Sequence, residues 1–447
     1  MTPHLKQSRI AKALTDRTSG EVSFDAAEAR LNKIRVTVVL GPDQARTAAG
    51  QAAALTAVNA SFKCFGNVAL VTDPHIRLMK RLPLGNTVGV AATTMGATVV
   101  PAVPQDTTHV IMIGNSANVG ADVFVRCWWN GWIAGVVPVW DDRALGSSGN
   151  PLAGIFAGAM AVREVFATVL GYPRSGSRVS ITSLWEPCAD PDAGNFGPSQ
   201  VYLPPRLWFI GLGHLGQGFL WSLGFLPAVG SKITLQDDQD AGEENEATGL
   251  LTRGNDITRK KTRIAADWLD GLGWPTSLIE RRHYGDIPLL ENDPPIVITG
   301  LDEPKARIDI AGAGFEYLID AGIGHGAVDF EGLQIRVLKK GANAAELWSS
   351  PDRKADIDAL MRRDAYQGHL EKFEKCGTLS LASASVAVPF VGAAVGALTI
   401  ATAIRLASLK PTSQIMQMEL GSPAMVLSGA INGASISSLG SIAVDLS

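Results

Sequence analysis

The segment 207–225, LWFIGLGHLGQGFLWSLGF, joins an apolar run to a glycine-rich turn and a helical pattern. The glycines of the turn are Gly211, Gly213 and Gly216. A strand, a turn of this kind and a helix start together present backbone N–H groups to phosphate oxygens. The segment therefore predicts a nucleotide site. Two alternatives are a turn that only packs a helix on a strand, and a dinucleotide site.

Polar residues at the ends of later predicted strands extend this site. Asp237, near the end of the strand predicted at 231–238, can accept hydrogen bonds from ribose hydroxyls. Lys261 supplies a cation for charge that builds up on phosphates during displacement. Asp302 ends the strand predicted at 295–302 and can hold Mg²⁺, which needs only one or two protein carboxylates. These residue types fit a nucleotide whose phosphates undergo displacement.

The set resembles the ubiquitin-activating enzyme superfamily, which includes the adenylyltransferases of thiamine and molybdopterin biosynthesis, over residues 207–406. The matching positions are Gly211, Gly213, Gly216, Asp237, Asn245, Lys261, Asp302 and Arg307. One position departs from the family, because the arginine expected three residues after Asn245 is Thr248 here. We expect Arg253, or an arginine from the first half of the chain, to replace it.

The resemblance implies an enzyme that uses ATP and Mg²⁺ to adenylate the C-terminal carboxylate of a ubiquitin-like protein. Lys261, Asp302 and Arg253 would be catalytic, with Asp302 as the metal ligand. A conjugating-enzyme-like partner and a bacterial antiviral conjugation pathway fit the same family. Two other functions stay open: an NAD(P)-dependent oxidoreductase, which would leave Asn245 and Lys261 without roles, and a nucleotide-binding scaffold whose site is degenerate at Thr248.

The resemblance also implies a cysteine that accepts the activated carboxylate as a thioester. Cys376 lies where members of this family carry that residue, and the nearby Lys372 and Lys375 favour a thiolate. The alternative role for Cys376 is a small buried hydrophobic residue. Cys188 is the rival, although the acidic residues around it would raise its pKa.

The elements that must position these residues occur twice along the chain. Apolar runs at 33–41, 68–73, 109–115 and 133–140 alternate with helical patterns, and the second half repeats this plan. Both halves carry the signature P-φ-x-G-x-x-x-G-A, where φ is apolar, at 151–159 and 389–397. Coincidence between two helices rich in small residues is the alternative. We interpret the pattern as a duplication that produces two related Rossmann-like, doubly wound α/β domains with mainly parallel sheets.

Only the second copy keeps the glycine loop. The first copy has Gly41, Pro42 and Asp43 at the equivalent strand end, and proline offers no N–H to a phosphate. We therefore expect an inactive adenylation-like domain at 1–175, a connector at 176–205, an active ATP-binding domain at 206–410 and C-terminal strands at 411–447.

The overall composition narrows the class of protein. The 447 residues are 46% hydrophobic and 18% charged, and the net charge of −4 gives no electrostatic footprint for nucleic acid. The four cysteines form no CxxC pair, so neither a zinc site nor a disulfide framework is indicated. The N-terminal segment lacks the apolar stretch of a secretory signal, and we expect a cytoplasmic protein. The oligomeric state stays open.

One uncharged segment, residues 378–404, is long enough to cross a bilayer. It is rich in alanine, serine, threonine and glycine, and Pro389 divides it. Small and hydroxylated residues give a weak transfer energy into lipid. We therefore expect this segment to be buried in the protein, with a helix after the proline, and expect no membrane partner.

Overall fold

The computed structural model describes residues 8–18, 22–116, 122–146, 149–228, 232–344, 347–348, 354–372, 375–432 and 442–446. In the first half the strands are β1 Val36–Leu40, β2 Val68–Val71, β3 Arg77–Leu82, β4 Gly85–Thr87, β5 Thr98–Val100, β6 His109–Ile113, β7 Val125–Asn130, β8 Ile133–Val137 and β9 Ser180–Ser183. The helices there are α1 Ser8–Thr15, α2 Phe24–Asn32, α3 Ala48–Phe65, α4 Val88–Thr94 and α5 Pro151–Val169.

The second half has more strands and helices. Its strands are β10 Gln200–Leu203, β11 Arg206–Ile210, β12 Lys232–Gln236, β13 Thr276–Ile279, β14 Ile296–Thr299, β15 Tyr317–Ile323, β16 Gly332–Lys339, β17 Ile415–Glu419, β18 Ser422–Ser428 and β19 Ile442–Asp445. Its helices are α6 His214–Gly224, α7 Glu243–Thr248, α8 Lys261–Asp270, α9 Pro304–Ala311, α10 Lys354–Met361, α11 Asp364–Leu370, α12 Lys375–Ser383 and α13 Pro389–Ala407.

Two central sheets share one strand order. The first sheet runs β5-β2-β1-β6-β7-β8-β9, and the second runs β13-β12-β11-β14-β15-β16-β17-β18. In each, the first five strands are parallel and the later ones antiparallel. The predicted fold class, two Rossmann-like α/β domains with mostly parallel sheets, is therefore confirmed. The antiparallel edges were not anticipated, because an apolar run does not encode the direction of its strand.

The shared signature has a packing role in both halves. A Cβ on Gly154 of α5 would lie 2.1 Å from the Ala49 carbonyl oxygen on α3. In the second half, a Cβ on Gly396 of α13 would lie 2.2 Å from the Gly218 carbonyl oxygen on α6. Glycine is therefore required where the helix after the first strand of each sheet touches the signature helix.

The helices α5 and α13 pack against each other at the centre of the molecule. Both are long and apolar enough to cross a membrane, but 89% and 94% of their most apolar windows are buried in the fold. Helices of this kind are common in the cores of large α/β proteins. The burial of the segment after Pro389, and its helical form, agree with the expectation from sequence.

The segment 176–205 differs from the simple connector expected from its composition. It contains β9, the edge strand of the first sheet, and β10, which pairs with the C-terminal β19. The hydroxyl-rich sequence of β9 lacks the apolar run that marks a buried strand. In the C-terminal segment, β17 and β18 extend the second sheet. The proposed limits of the domains themselves remain predictions.

Candidate active site

The glycine loop lies between β11 and α6, at the carboxyl edge of the second sheet. Gly211 has a φ of 84°, which favours glycine, and a Cβ on Gly216 would lie 2.1 Å from the Gly211 carbonyl oxygen. A Cβ on Gly213 would meet no protein atom within 4 Å. Gly211 and Gly216 therefore serve the turn and its packing, whereas Gly213 leaves open space on the side of the cavity.

The start of α6 has donors for an anion. Gly213 caps this helix without any side-chain hydrogen bond to the first-turn N–H groups. His214, the first helical residue, has its Nε2 at 2.9 Å from the Val388 carbonyl oxygen before α13. Burial lowers the pKa of His214 to about 4, so the ring is neutral near pH 7 and its Nε2–H holds α6 against α13. His214 therefore acts as a structural donor and not as a base.

A cavity of about 1350 Å³ opens in front of this loop. It brings together most of the site residues expected from sequence, namely Gly211, Gly213, Asp237, Asn245, Lys261, Asp302 and Arg307. Gly216 lies behind the loop, where it packs against Gly211. Residues distant in sequence thus meet at one edge of the sheet, as expected for the ends of parallel strands around a change in strand order.

Asp237 and Lys261 are both held by neighbours. The Asp237 carboxylate accepts hydrogen bonds from the backbone N–H of Leu212 at 2.7 Å and of Gln239 at 2.8 Å. The buried Lys261, first residue of α8, donates from Nζ to Gln239 Oε1 at 2.7 Å. A single short loop therefore fixes both the acid and the cation relative to the glycine turn.

Asp302 differs from these two because its carboxylate is exposed. Within the described residues it forms no hydrogen bond or ion pair, and no group of three or more His, Cys, Asp or Glu side chains could hold a metal. One free carboxylate suits Mg²⁺, which takes most of its remaining ligands from water and substrate phosphates. The residues present therefore fit a magnesium ion that binds together with a nucleotide.

Arg307 lies on α9 beside the same cavity. Its guanidinium donates to the Leu301 carbonyl oxygen at 2.9 Å, and it lies 3.5 Å from the Asp320 carboxylate. Burial raises the pKa of Asp320, while Arg307 and a 2.7 Å hydrogen bond from Thr299 oppose this shift. Arg307 therefore supports the loop that carries Asp302.

Arg9 on the N-terminal helix α1 also lines the cavity. Its Nε donates to the Ser385 carbonyl oxygen at 3.0 Å. Burial lowers the pKa of Arg9, and the nearby Glu244 and Asp302 carboxylates oppose that effect. An arginine remains charged under such shifts, so the first half of the chain adds a cation to the site.

The position of α1 is fixed by a second basic residue. The buried Lys12 donates from Nζ to the carbonyl oxygens of Leu381, Ala382 and Ala384 at 2.8, 3.0 and 2.9 Å. These carbonyls belong to the end of α12 and the residue that follows it. Lys12 thus caps α12 and keeps Arg9, one helical turn away, at the mouth of the cavity.

Arg253 is not among the residues that line this cavity, so its role as the substitute for the missing arginine stays a prediction. Its Nη1 lies 3.4 Å from Asn59 Oδ1 on α3, at the contact between the halves. Lys63 on α3 also donates to the Thr252 carbonyl oxygen at 2.9 Å. The chain around Arg253 therefore docks on the first half. Arg9, which lines the cavity, is the candidate for the other expected source, an arginine from the first half.

The two candidate cysteines differ in what the structure shows. Cys376 is the second residue of α12, and its side chain lies outside the described residues. Cys188 is exposed and its Sγ lies 2.9 Å from the Met425 carbonyl oxygen. It lines a separate cavity of about 420 Å³ at the edge of the second sheet. Cys64 and Cys127 are buried, and burial raises the pKa of both thiols.

The equivalent strand end in the first half is occupied by protein. The Asp43 carboxylate accepts the Asn115 N–H at 2.8 Å, and a Cβ on Gly114 would lie 2.5 Å from the same oxygen. The Asp43 carboxylate at this strand end would repel an anion. That the first copy is inactive stays a prediction.

Sequence reasoning missed several residues that line the cavity, including Arg9, Arg281, Arg282, His283 and Arg336. The N-terminal segment gave only a charged helical pattern, which does not tell where the helix docks. The run Arg281–His283 follows a short, half-buried strand, β13, whose sequence has no clear apolar alternation.

Comparisons with known proteins agree with this architecture. The family descriptions "BilD N-terminal domain" and "BilD C-terminal domain" match residues 35–184 and 203–409. The chain is 33% identical over 414 residues to the bacterial E1-like protein BilD of Collimonas sp. (strain OK412), covering 90% of this chain and 88% of that protein. Two matched domains and this extent of identity lead to one conclusion: the chain belongs to the BilD family of bacterial E1-like proteins.

Proposed function

We propose that this protein activates the C-terminal carboxylate of a ubiquitin-like protein by adenylation with ATP. The observation that carries the proposal is the convergence of the glycine loop, Asp237, Lys261, Asp302 and Arg9 on one cavity. Membership in a bacterial E1-like family supports it. The same arrangement supports a proposed relation to the wider superfamily of ubiquitin-activating enzymes and the adenylyltransferases of thiamine and molybdopterin biosynthesis.

Each of these residues has its own role in the proposed reaction. The N–H groups at the start of α6 bind phosphate, and Asp237 binds the ribose. The carboxylate of the protein substrate attacks the α-phosphorus, and pyrophosphate leaves. Lys261 and Arg9 stabilise the negative charge that develops on the leaving phosphates. Asp302, together with phosphate oxygens, would hold Mg²⁺, which lowers the negative charge at the reacting phosphate.

A second step would transfer the acyl group from AMP to the Cys376 thiol. Cys376 lies in the first turn of α12, where the helix dipole favours a thiolate. Thiolate attack on the acyl carbon would form the thioester and release AMP. A conjugating-enzyme-like partner would then receive the acyl group. As part of this proposal, the reaction belongs to a cytoplasmic, antiviral conjugation pathway.

The NAD(P)-dependent oxidoreductase is the weaker candidate. A hydride-transfer site gives no role to the exposed Asp302 or to the cationic pair Lys261 and Arg9 at the phosphate end. No described feature favours it over adenylation, so it enters only as a control ligand, NAD, in the binding experiments.

The proposal is tested by ATP–pyrophosphate exchange with candidate ubiquitin-like proteins. Wild type should exchange, and Asp302→Asn should lose on the order of 100-fold, since charge stabilisation by a bound metal contributes several kcal/mol. Asp309→Asn, which alters an acid of α9 that pairs with Lys305 and does not line the cavity, is the matched control and should keep activity. Calorimetry should give one ATP per chain and weaker binding of NAD. Tighter binding of NAD, or exchange unchanged in Asp302→Asn, would contradict the proposal.

A further inference from the structure

The antiparallel part of the second sheet extends past its parallel part and forms one wall of the large cavity. β14 ends at Thr299, which pairs with the fourth residue of β15, whereas β15 continues to Ile323. At a rise of about 3.3 Å per residue, β15 therefore extends about 10 Å beyond the end of β14. Gly322, Gln334 and Gln417 lie side by side on β15, β16 and β17 in this extension, and all three line the cavity. The cavity therefore has an arm along these strands, in addition to the part in front of the glycine loop.

The cavity is larger than a nucleotide alone requires. Its volume of about 1350 Å³ exceeds the range of about 300–1000 Å³ that is typical of sites for one small molecule. Asp237, the proposed ribose ligand, follows β12, which lies on one side of β11, whereas β14, β15 and β16 lie on the other side. The arm therefore lies away from the ribose, where a second substrate has room.

Arg336 lies at the base of this arm. It is on β16, directly opposite Asp320 of β15, and it lines the cavity. Its Cζ atom lies 5.3 Å from the centre of the Trp348 ring, and Trp348 lines the same cavity. A guanidinium is attracted to the face of an indole ring. Trp348 therefore helps to hold the guanidinium in place beside the arm.

The Arg336 guanidinium has N–H groups available for a ligand. Within the described part of the chain it forms no hydrogen bond or ion pair, and its Nε is buried, so a ligand would contact Nη1 and Nη2. The carboxylate of Asp320 already accepts from Thr299 at 2.7 Å and lies 3.5 Å from Arg307. Burial lowers the pKa of Arg336, Asp320 opposes this effect and Arg307 adds to it. An arginine remains charged under such shifts, so a half-buried cation faces the cavity.

The surroundings of Arg336 favour a main-chain carbonyl oxygen as its acceptor. A phosphate at the glycine loop is distant, because β16 lies three strands from β11, or about 14 Å. An acidic side chain is disfavoured, because Glu419 and Asp329 line the same cavity and would repel it. Gln334 and Gln417 carry uncharged amides, which can pair with the N–H and C=O groups of a peptide.

We infer that Arg336 is a substrate-positioning residue: its terminal N–H groups donate to a main-chain carbonyl oxygen near the C-terminus of the ubiquitin-like protein, which lies along the arm. This inference rests on the proposed adenylation in the same cavity. A contact of this kind requires no particular side chain in the substrate. It recognises an extended polypeptide and orients the terminal carboxylate toward the α-phosphorus.

The test uses analogues of an acyl-adenylate in which a sulfamate replaces the phosphate. Calorimetry compares sulfamoyladenosine with derivatives acylated by N-acetylated chains of one to four glycines, which offer main-chain carbonyls and no side chains. Wild type should gain about tenfold or more in affinity at the chain length whose carbonyl reaches Arg336, the effect of a hydrogen bond to a charged donor. Arg336→Met, which keeps an apolar stem without donors, should lose this gain and bind sulfamoyladenosine as wild type does.

The control is Arg263→Met, at an exposed arginine that pairs with Glu280 and does not line the cavity. It should keep the gain. Arg336→Lys keeps the charge but not the fork of N–H groups, so it should keep only part of the gain, and it provides the comparison if the Met variant does not fold.

A kinetic measurement gives a second readout. In pyrophosphate exchange with a ubiquitin-like protein that wild type activates, Arg336→Met should raise the KM for that protein about tenfold and leave the KM for ATP unchanged. Equal affinity of wild type for all chain lengths, or the same gain in Arg336→Met, overturns the inference and leaves the proposed function intact. If wild type binds neither ATP nor sulfamoyladenosine, the proposed function fails and the inference fails with it.

Discussion

Arg163 of α5 and Glu331, which precedes β16, form a two-pronged ion pair between the two halves of the protein. Arg163 Nε donates to Oε1 at 2.8 Å and Nη2 to Oε2 at 2.7 Å, and both residues are buried. Burial opposes charge on Arg163, but Glu331 and Glu164 outweigh it and raise its pKa. The pair therefore fixes the first half of the chain against the sheet that carries the cavity.

Breaking this pair should destabilise the whole chain. Arg163→Met leaves Glu331 buried without its partner and should lower the free energy of unfolding by about 3–5 kcal/mol. The double variant Arg163→Met, Glu331→Leu removes this pair and should recover part of that loss, because the buried Glu164 still lacks its arginine partner. Denaturant unfolding measures both. An Arg163→Met protein as stable as wild type would show that the pair does not hold the halves together.

Glu419 should make stability depend on pH. Partial burial, followed by the Glu331 and Asp329 carboxylates, raises the pKa of Glu419 from 4.5 to about 7. The folded protein then binds more protons than the unfolded chain between these values, so stability falls as the pH rises from about 4.5 to 7. Glu419→Gln should reduce this fall, by less than about 1 kcal/mol because Glu419 remains solvent-accessible. Melting temperatures at pH 5 and 7.5, with Glu291→Gln as control, test the direction of the effect.

Two glycines of the loop should respond differently to alanine. Gly213→Ala places its Cβ in open space of the cavity, so the melting temperature should stay unchanged while ATP binds at least about tenfold more weakly. Gly216→Ala forces a Cβ against the Gly211 carbonyl oxygen and should cost about 1–3 kcal/mol of stability as well. Full ATP affinity in Gly213→Ala would mean that the phosphates lie elsewhere.

Substitutions of Arg9 and Arg253 should have different effects: the first on ATP binding, the second on the stability of the fold. If Arg9 contacts the terminal phosphates, Arg9→Ala should weaken ATP by about tenfold or more and AMP much less, since charge-assisted hydrogen bonds contribute about 1.5–3 kcal/mol. Arg253→Ala should keep ATP affinity and lower the melting temperature, because Arg253 contacts Asn59 across the two halves. The reverse result would restore Arg253 as the arginine of the site.

Alanine variants of Cys376 and Cys188 should show that adenylation and thioester formation are separate steps. Cys376→Ala should keep pyrophosphate exchange, since the carboxylate is activated at the nucleotide. It should lose the thiol-sensitive adduct with the ubiquitin-like protein on a non-reducing gel, whereas Cys188→Ala should keep that adduct. If the adduct disappears only in Cys188→Ala, the thioester forms on Cys188 and the prediction for Cys376 is wrong. If wild type forms the adenylate but no adduct, the reaction of this protein ends at acyl-AMP.

The sequence alone determined the local parts of this protein. The strand, glycine loop and helix start around Gly211 could be predicted because a turn of this kind depends on residues close in sequence. The repeated signature at Pro151 and Pro389 predicted two related domains, since the same small residues allow the same close helix contact in both. Asp237 and Asp302 could be predicted to lie together because each follows a strand of one parallel sheet, whereas Lys261 was predicted from the family resemblance.

Only the tertiary structure decided which distant groups complete or close a site. Arg9 reaches the cavity because Lys12 docks α1 on the end of α12, a contact across 369 residues for which no local pattern exists. The catalytic role expected of Arg253 stays a prediction, because nearness in sequence to Thr248 does not indicate which way a loop docks. Such contacts depend on how two domains pack. Packing brings together residues that are far apart along the chain, and no local sequence pattern predicts which of them meet.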